Sequence, residues 1–197
     1  MNKQFSPACD RNKDSILEIL RSLLKDKSMI FEIGTGTGQH AVFFSKNLSH
    51  LQWQTSDLIH NHANIKMWLE EAKLSNVLPP VIFDASIDKI PSHDYDAVFT
   101  ANTFHIMAWP QVCCCIEKVG QCLKKKGLFI IYGPFNFNGQ YTSLSNECFE
   151  QQLIDKNPNM GIRNFEDITQ HCLTSQMRFI EKYPMPANNF ILVFQKN

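Results

Sequence analysis

No stretch of this chain approaches the roughly 20 consecutive apolar residues that a membrane-spanning helix needs, which argues against a membrane partner. Net charge is missing too. The 19 basic side chains balance 19 acidic ones, so no global field draws the chain to nucleic acid or an anionic bilayer. The seven cysteines include no CxxC pair. Three of them, Cys113, Cys114 and Cys115, are consecutive, and only one or two could face a given point on a helix. That usage reads as reduced thiols, not a metal site or disulfide framework, so no metal is expected. The first residues, Met1-Asn2-Lys3-Gln4-Phe5-Ser6-Pro7, hold no apolar signal core, which points to the cytoplasm. Internal repeats, low-complexity segments and domain boundaries are absent as well. What remains is 197 residues, 44% apolar, the size and composition of a single α/β domain over residues 1–197.

The chain is organised around Met29-Ile30-Phe31-Glu32-Ile33-Gly34-Thr35-Gly36-Thr37-Gly38-Gln39-His40. An apolar run ends in an acid, three alternating glycines follow, and a helix-forming segment begins. Glycines there let the backbone turn tightly and approach a ligand that a side chain would block. Glu32 is placed to hold a cationic or hydroxylated part of that ligand.

Upstream, polar residues 5–14 lead into a helix with Ile16, Leu17, Leu20, Leu23 and Leu24 on one stripe and Asn12 or Asp14 as its cap. It carries Arg11 toward one edge of a sheet, where Arg11 meets a carboxylate of cofactor or substrate, or a surface partner. Met29–Ile33 is the first strand, apolar on both faces as buried parallel strands are. Helix 39–48 follows, then a strand over 51–56 ending at Asp57, and an amphipathic helix over 61–74. A turn at Pro79-Pro80 precedes a third strand, Val81–Phe83, ending at Asp84. Tyr95–Ala101 is a fourth. Val112, Ile116, Val119 and Leu123 mark a helix that closes on Lys124-Lys125-Lys126-Gly127, cations at the negative end and a glycine stop. Leu128–Tyr132 is a fifth strand. A polar loop over 133–146, helices near 147–154 and 165–173, and two β-like runs, 176–183 and 190–194, complete the chain; the runs suit an antiparallel pair. Alternating strands and helices predict a mostly parallel sheet with helices on both faces.

In such folds ligands bind beyond the carboxyl ends of the strands. Glu32, Asp57, Asp84 and Asn102 fall at four of those predicted ends. Asp57 follows the glycines by about twenty residues, the spacing at which an acid meets ribose hydroxyls, and its carboxylate can accept from both. A nicotinamide dinucleotide is the rival ligand, but Gln39 stands where the third glycine of G-x-G-x-x-G belongs. Glu32 would also be an awkward neighbour for a pyrophosphate. No G-K-[ST] ending supports a phosphate loop. S-adenosylmethionine (SAM), zwitterionic and cationic at sulfur, is the favoured ligand.

Glu32-Ile33-Gly34-Thr35-Gly36-Thr37-Gly38 resembles motif I of class I SAM-dependent methyltransferases. Further blocks resemble the family known as domain of unknown function 938, which includes methyltransferase-like protein 26 of animals. They are Ser6-Pro7-Ala8 with Asp10-Arg11-Asn12-Lys13, Gly36-Thr37-Gly38-Gln39-His40, Trp53-Gln54 with Ser56-Asp57, Ala101-Asn102 with His105-Ile106, Tyr132-Gly133-Pro134-Phe135, Ser145-Asn146, and Met185-Pro186-Ala187-Asn188-Asn189. The resemblance implies a Rossmann-like, seven-stranded methyltransferase fold with an antiparallel C-terminal hairpin. It places Gly34, Gly36 and Gly38 under the methionine part of SAM, Asp57 at the ribose, and Asp84 with Ala85 beside the adenine; Leu58 and Asn102 complete the expected cofactor set.

Methyl transfer from a sulfonium needs alignment, exclusion of water and sometimes proton removal. His105, just past the fourth strand, is the candidate base, or a histidine that shapes the pocket wall. His40 is expected to hydrogen-bond locally, and His60 with His62 lacks a third convergent metal ligand. Asn102-Thr103-Phe104-His105 lacks the N/D-P-P-aromatic tetrad of nucleic-acid amine methyltransferases. With no net charge, that argues against a nucleic-acid substrate. Arg11, Asn12, Phe135 and Tyr141 are the candidate acceptor-side residues; the last two lie in segment 133–141, whose aromatics and amides suit a small, mostly uncharged molecule. Tyr132 reads as packing. A non-catalytic SAM-binding module, and a nucleotide-cofactor oxidoreductase behind it, are the alternatives; oligomeric state and acceptor are not encoded in any recognisable motif.

Overall fold

A strand buried on both faces needs apolar residues throughout, and Met29–Ile33 (β1) meets that need except at Glu32. The computed structural model describes residues 3–91 and 94–197; Met1 and Asn2, part of the segment read for a signal core, lie outside the described residues. In chain order the elements are α1 (Pro7–Leu23), β1, α2 (Gln39–Asn47), β2 (Gln52–Asp57), a 3-10 turn (Ile59–Asn61), α3 (His62–Ala72), β3 (Val77–Ile82), β4 (Tyr95–Ala101), α4 (Trp109–Cys122) and β5 (Leu123–Gly133). Then come β6 (Phe135–Asn136), α5 (Leu144–Lys156), β7 (Arg163–Asn164), α6 (Phe165–Thr174), β8 (Met177–Met185) and β9 (Asn189–Lys196).

Seven strands form one sheet in the order β3-β2-β1-β4-β5-β9-β8. Pairings from β3 to β5 are parallel, and β9 runs antiparallel to both β5 and β8. Strand order reverses between β1 and β4, so the crevice above their carboxyl ends is where such a sheet takes ligands. Alternation along the strands builds a core on each face. Ile30, Ala97, Phe99, Ile130 and Val193 meet Ile16 and Leu20 of α1 and Phe44 of α2. Phe31, Val98, Phe129, Ile131 and Leu192 meet Val112, Ile116 and Val119 of α4 and Ile168 of α6. No helix among the described residues is long and apolar enough to cross a membrane.

Local departures from the sequence reading have identifiable causes. Helix α1 starts at Pro7, with Ser6 as its cap accepting from Cys9 N–H at 3.3 Å, so Asn12 lies inside the helix and is buried. Its first turns show no apolar stripe because they face a cleft, not the core. Pro79-Pro80 lies within β3 and is not a turn. β3 is an edge strand, where a missing N–H can point away from the sheet, and the register slips opposite it between Gln54 and Ser56. The lysine run is not a helix terminus. α4 ends at Cys122, Leu123 pairs with Tyr95 of β4, and Lys124 forms an ion pair with Asp96 at 2.9 Å. The 133–146 segment is not wholly loop: β6 pairs with β7, and α5 starts early, at Leu144, behind its cap Ser143.

Candidate functional site

A cleft of about 1060 Å³ opens above the carboxyl ends of β1, β2 and β4. Ile33, the loop Gly34–Thr37, Asp57, Leu58, Asp84, Ala85 and Asn102 line one part of it. The loop is stitched to β2: the N–H groups of Gly34 and Thr35 both donate to Ser56 O, at 3.1 and 3.0 Å.

The three glycines do three different things. Gly34 has φ +70°, and a Cβ there would come within 2.8 Å of Thr103 Oγ1. Gly36 has φ +63°, and a Cβ there would meet nothing nearer than Gly34 O at 4.0 Å, so the cleft itself lies over this position. Gly38 does not line the cleft, contrary to expectation. It precedes α2 with φ +97°, and a Cβ would press on α3, 3.0 Å from Trp68 Cβ and 3.3 Å from Ile65 Cα. Its role is helix packing.

Glu32 also lies below the cleft lining, only 2% exposed. Its Oε2 accepts from Trp53 Nε1–H and Thr35 Oγ1–H, both at 3.0 Å. Burial pushes its carboxyl up to about 7; the two hydrogen bonds pull the other way, and the Asp57 charge adds to the rise. Contact between Glu32 and a ligand cation is therefore not what the geometry provides; Glu32 supports the loop from beneath.

Asp57 is 7% exposed and already engaged. Its Oδ2 accepts from Gly36 N–H at 2.6 Å, and its Oδ1 accepts from Leu58 N–H at 2.7 Å and Asn61 Nδ2–H at 2.8 Å. Asp84 turns the chain after β3: its Oδ1 accepts from Ser86 N–H at 2.8 Å, while its own N–H donates to Asp88 Oδ2 at 2.7 Å. Lys118 Nζ holds Ala85 O at 2.6 Å. Asn102 sits at φ +56°, a conformation uncommon outside glycine. Its N–H donates to Tyr132 O at 2.9 Å, and its side-chain amide makes no hydrogen bond among the described residues.

His105 lines the cleft and is 8% exposed. Its ring stands edge-on to Phe149, 5.3 Å between centroids. Burial first, and the Arg163 charge second, pull its pKa down to about 4, so the imidazole is neutral at pH 7. Among the described residues neither ring nitrogen has a hydrogen-bond partner.

The remaining wall comes from distant parts of the chain. Ser6, Cys9, Arg11 and Asn12 arrive from the start of α1, Asn146 and Phe149 from α5, and Pro186, Ala187 and Asn189 from the β8–β9 turn. Arg11 makes no hydrogen bond or ion pair among the described residues. Asn12 Oδ1 lies 2.7 Å from His40 Nε2, and the Asn12 side chain also meets the Tyr132 hydroxyl. His40 bonds across to α1 and not locally; burial lowers its pKa to about 4. Phe135 is 1% exposed in the core, and Tyr141 is 43% exposed off the lining, so neither proposed acceptor-side aromatic reaches the cleft.

Two further contributors frame the cleft: Arg163, which has no signal in the sequence, and the β8–β9 turn, which lies in one of the blocks that carry the family resemblance. Arg163 Nε donates to Phe104 O at 3.1 Å and Nη2 to Asn159 O at 2.9 Å, with a further bond to Met107 O, so it staples the loop that carries His105. The β8–β9 turn holds Ala187 and Asn188 both at φ +57°, and Asn146 Nδ2 donates to Asn188 O at 3.3 Å. His60 lines the cleft and His62 Nε2 lies 3.0 Å from Asp57 O, so the two imidazoles have separate surroundings.

A family model described as "Protein of unknown function (DUF938)" matches residues 3–196. Among solved structures, the S-adenosylmethionine-dependent methyltransferase SibL in its apo form superposes with a TM-score of 0.81 at 14% identity, over 96% of this chain and 55% of that one. An O-methyltransferase family 2 protein from Planctomyces limnophilus, in complex with apigenin, gives 0.82 at 13% identity over 94% and 56%. Human N-acetylserotonin methyltransferase in complex with SAM gives 0.75 at 14% identity over 96% and 58%. The chain thus spans little more than half the length of these proteins. At such identities the likeness shows the fold, that of class I methyltransferases.

Proposed function

The chain belongs to the family described as protein of unknown function DUF938, and we propose that it is a SAM-dependent methyltransferase acting on a small molecule. The observation that carries this reading is Gly36: a left-handed residue at the switch point of the sheet, whose missing side chain leaves the cleft open, tied by its N–H to Asp57 Oδ2 at 2.6 Å. In this reading Gly34, Gly36, Asp57, Leu58, Asp84, Ala85 and Asn102 hold the cofactor, and Glu32 and Gly38 shape the loop from behind. Bound SAM would supply an electrophilic methyl group.

Arg11, Asn12, His105, Asn146 and Phe149 face the acceptor. Neutral His105 accepts a hydrogen bond from the acceptor's X–H and orients its lone pair. Its depressed pKa makes it a poor store for the proton, so the acceptor must be acidic enough to release that proton to water or already lack it. The zero net charge of the chain, and the missing N/D-P-P-aromatic tetrad after β4, favour a small molecule over nucleic acid. Kinship with methyltransferase-like protein 26 of animals, and residence in the cytoplasm, belong to the same proposal.

Calorimetric titration with SAM, S-adenosylhomocysteine and NAD tests the reading. Micromolar binding of the two SAM species supports it; binding of NAD alone would replace it with a nucleotide-cofactor oxidoreductase. Labelled-methyl transfer into cell extract then separates an enzyme from a non-catalytic SAM-binding module, which would bind and yield no product.

A further inference from the structure

Resting on the SAM reading, we propose that Asn61 is a second ribose-reading residue, its side-chain oxygen taking one hydroxyl of the adenosyl group while Asp57 takes the other.

A carboxylate has about four acceptor positions, two per oxygen. Three of those on Asp57 are filled by the protein itself: Gly36 N–H at Oδ2, and Leu58 N–H with Asn61 Nδ2–H at Oδ1. One position on Oδ2 is left. A ribose diol presents two hydroxyls, so Asp57 as held here can accept from one. The second needs another acceptor within the same corner of the cleft.

Asn61 is the side chain that meets the need. It lines the cleft, and the 3-10 turn Ile59–Asn61 brings it back over Asp57. Its amide orientation follows from its partner. A carboxylate only accepts, so the NH₂ must face Asp57, which leaves the oxygen on the other branch of the amide. That oxygen has no donor among the described residues.

Asn61 also occupies the N-cap of α3, where an asparagine oxygen ordinarily accepts a backbone N–H of the first turn. Here no such bond forms. The backbone of Asn61 is itself helical, φ −87° and ψ −15°, and continues the 3-10 turn into α3, so the oxygen is not drawn back onto the helix and stays unused. An unused acceptor, fixed in direction by a bond to the ribose acid and facing the cleft, is suited to a hydroxyl donor.

Titration calorimetry with S-adenosylhomocysteine and with its 2′-deoxy and 3′-deoxy counterparts tests this on wild-type and Asn61→Ala chains. Wild type should lose about five- to tenfold in affinity for each missing hydroxyl. Asn61→Ala should weaken S-adenosylhomocysteine by a similar factor, and one deoxy analogue should then bind the variant as well as the parent compound does, while the other keeps its penalty. Unchanged or tighter binding of S-adenosylhomocysteine by Asn61→Ala would overturn the proposal, because the amide would then be competing with the ribose for Asp57 Oδ1. Undiminished penalties for both analogues in the variant would overturn it equally. The wild-type titrations stand whether or not the variant folds: indifference to either deoxy analogue refutes a two-acceptor site. A wild type that binds no S-adenosylhomocysteine at all is a different result, and it removes the SAM reading and this inference together.

Discussion

Replacing Glu32 by glutamine should remove a pH dependence of stability that the native fold carries. The carboxyl is raised from 4.5 to about 7, chiefly by burial. In the unfolded chain it ionises near its ordinary value, so between about pH 4.5 and 7 the folded state holds a proton that the unfolded state has released. Its stabilising contribution is full below pH 4.5 and is lost as pH rises through 7. At about 1.4 kcal/mol per unit, the loss comes to about 3 kcal/mol. Glutamine has no charge to bury, and its one oxygen can still accept from Trp53 Nε1–H and Thr35 Oγ1–H as Oε2 does. The unfolding free energy of Glu32→Gln minus that of wild type should therefore become about 3 kcal/mol more positive between pH 4 and pH 8. His40 and His105 titrate in the opposite sense. Their pKa values fall from 6.5 to about 4, so each withdraws stability as pH drops below 6.5, but both chains contain them and the difference cancels them. Urea denaturation followed by tryptophan fluorescence at several pH values measures it, provided the m-values agree. A difference that stays flat with pH would refute the placement of Glu32 as a buried, desolvated acid.

Other substitutions separate the roles within the loop and the cleft. Gly38→Ala should cost about 2 kcal/mol of stability, through left-handed strain and pressure on Trp68 and Ile65, read from the urea midpoint. Gly36→Val should cost about 1–2 kcal/mol from its conformation yet abolish S-adenosylhomocysteine binding in calorimetry, because its side chain enters the cleft; retained binding would show that the loop does not face the ligand. Asp57→Ala should weaken that ligand about tenfold or more, from the loss of its one ribose bond and of the tether on Gly36 N–H, and also lower the melting temperature, since Gly36 and Leu58 N–H lose their acceptor. Arg163→Met should raise the His105 pKa, seen as an upward shift of its imidazole titration by NMR, because the nearby cation that opposes protonation is gone.

Strands β1, β2 and β4, helix α2 and the C-terminal hairpin were legible because burial on both faces, or on a helical stripe, leaves a periodic apolar record. Pro79-Pro80 was misread because turn chemistry and edge-strand tolerance look alike in a single sequence; only the sheet's outer position tells them apart. Lys124–Lys126 satisfied a helix-end rule, yet pairing of Leu123 with Tyr95 overrode it. The expectation that Glu32 and Gly38 touch the ligand rests on the acid's place before the glycine turn and on the resemblance to motif I. Their side-chain directions are set by Trp53 and by α3, which sequence spacing does not report.

The two parts of the cleft differ in how they are encoded, and that decides what a motif can reveal. The loop and its acid lie within one strand–loop–helix–strand unit, where Gly34 and Thr35 bond Ser56 and Gly36 bonds Asp57, so short-range spacing predicts contact. The opposite wall is assembled from the start of α1, the loop after β4, α5 and the β8–β9 turn. Asn12 meets His40 across 28 positions, and Arg163 reaches Phe104 across 59. Contacts between such separate segments are created by the sheet order, so the spacing of residues within one segment does not report them, even where the segment itself carries a family block. In the proposed reading, the cofactor side of the cleft is therefore the part that a motif can report, and the chemistry of any acceptor has to be sought in the wall that Arg11, His105 and Asn146 build.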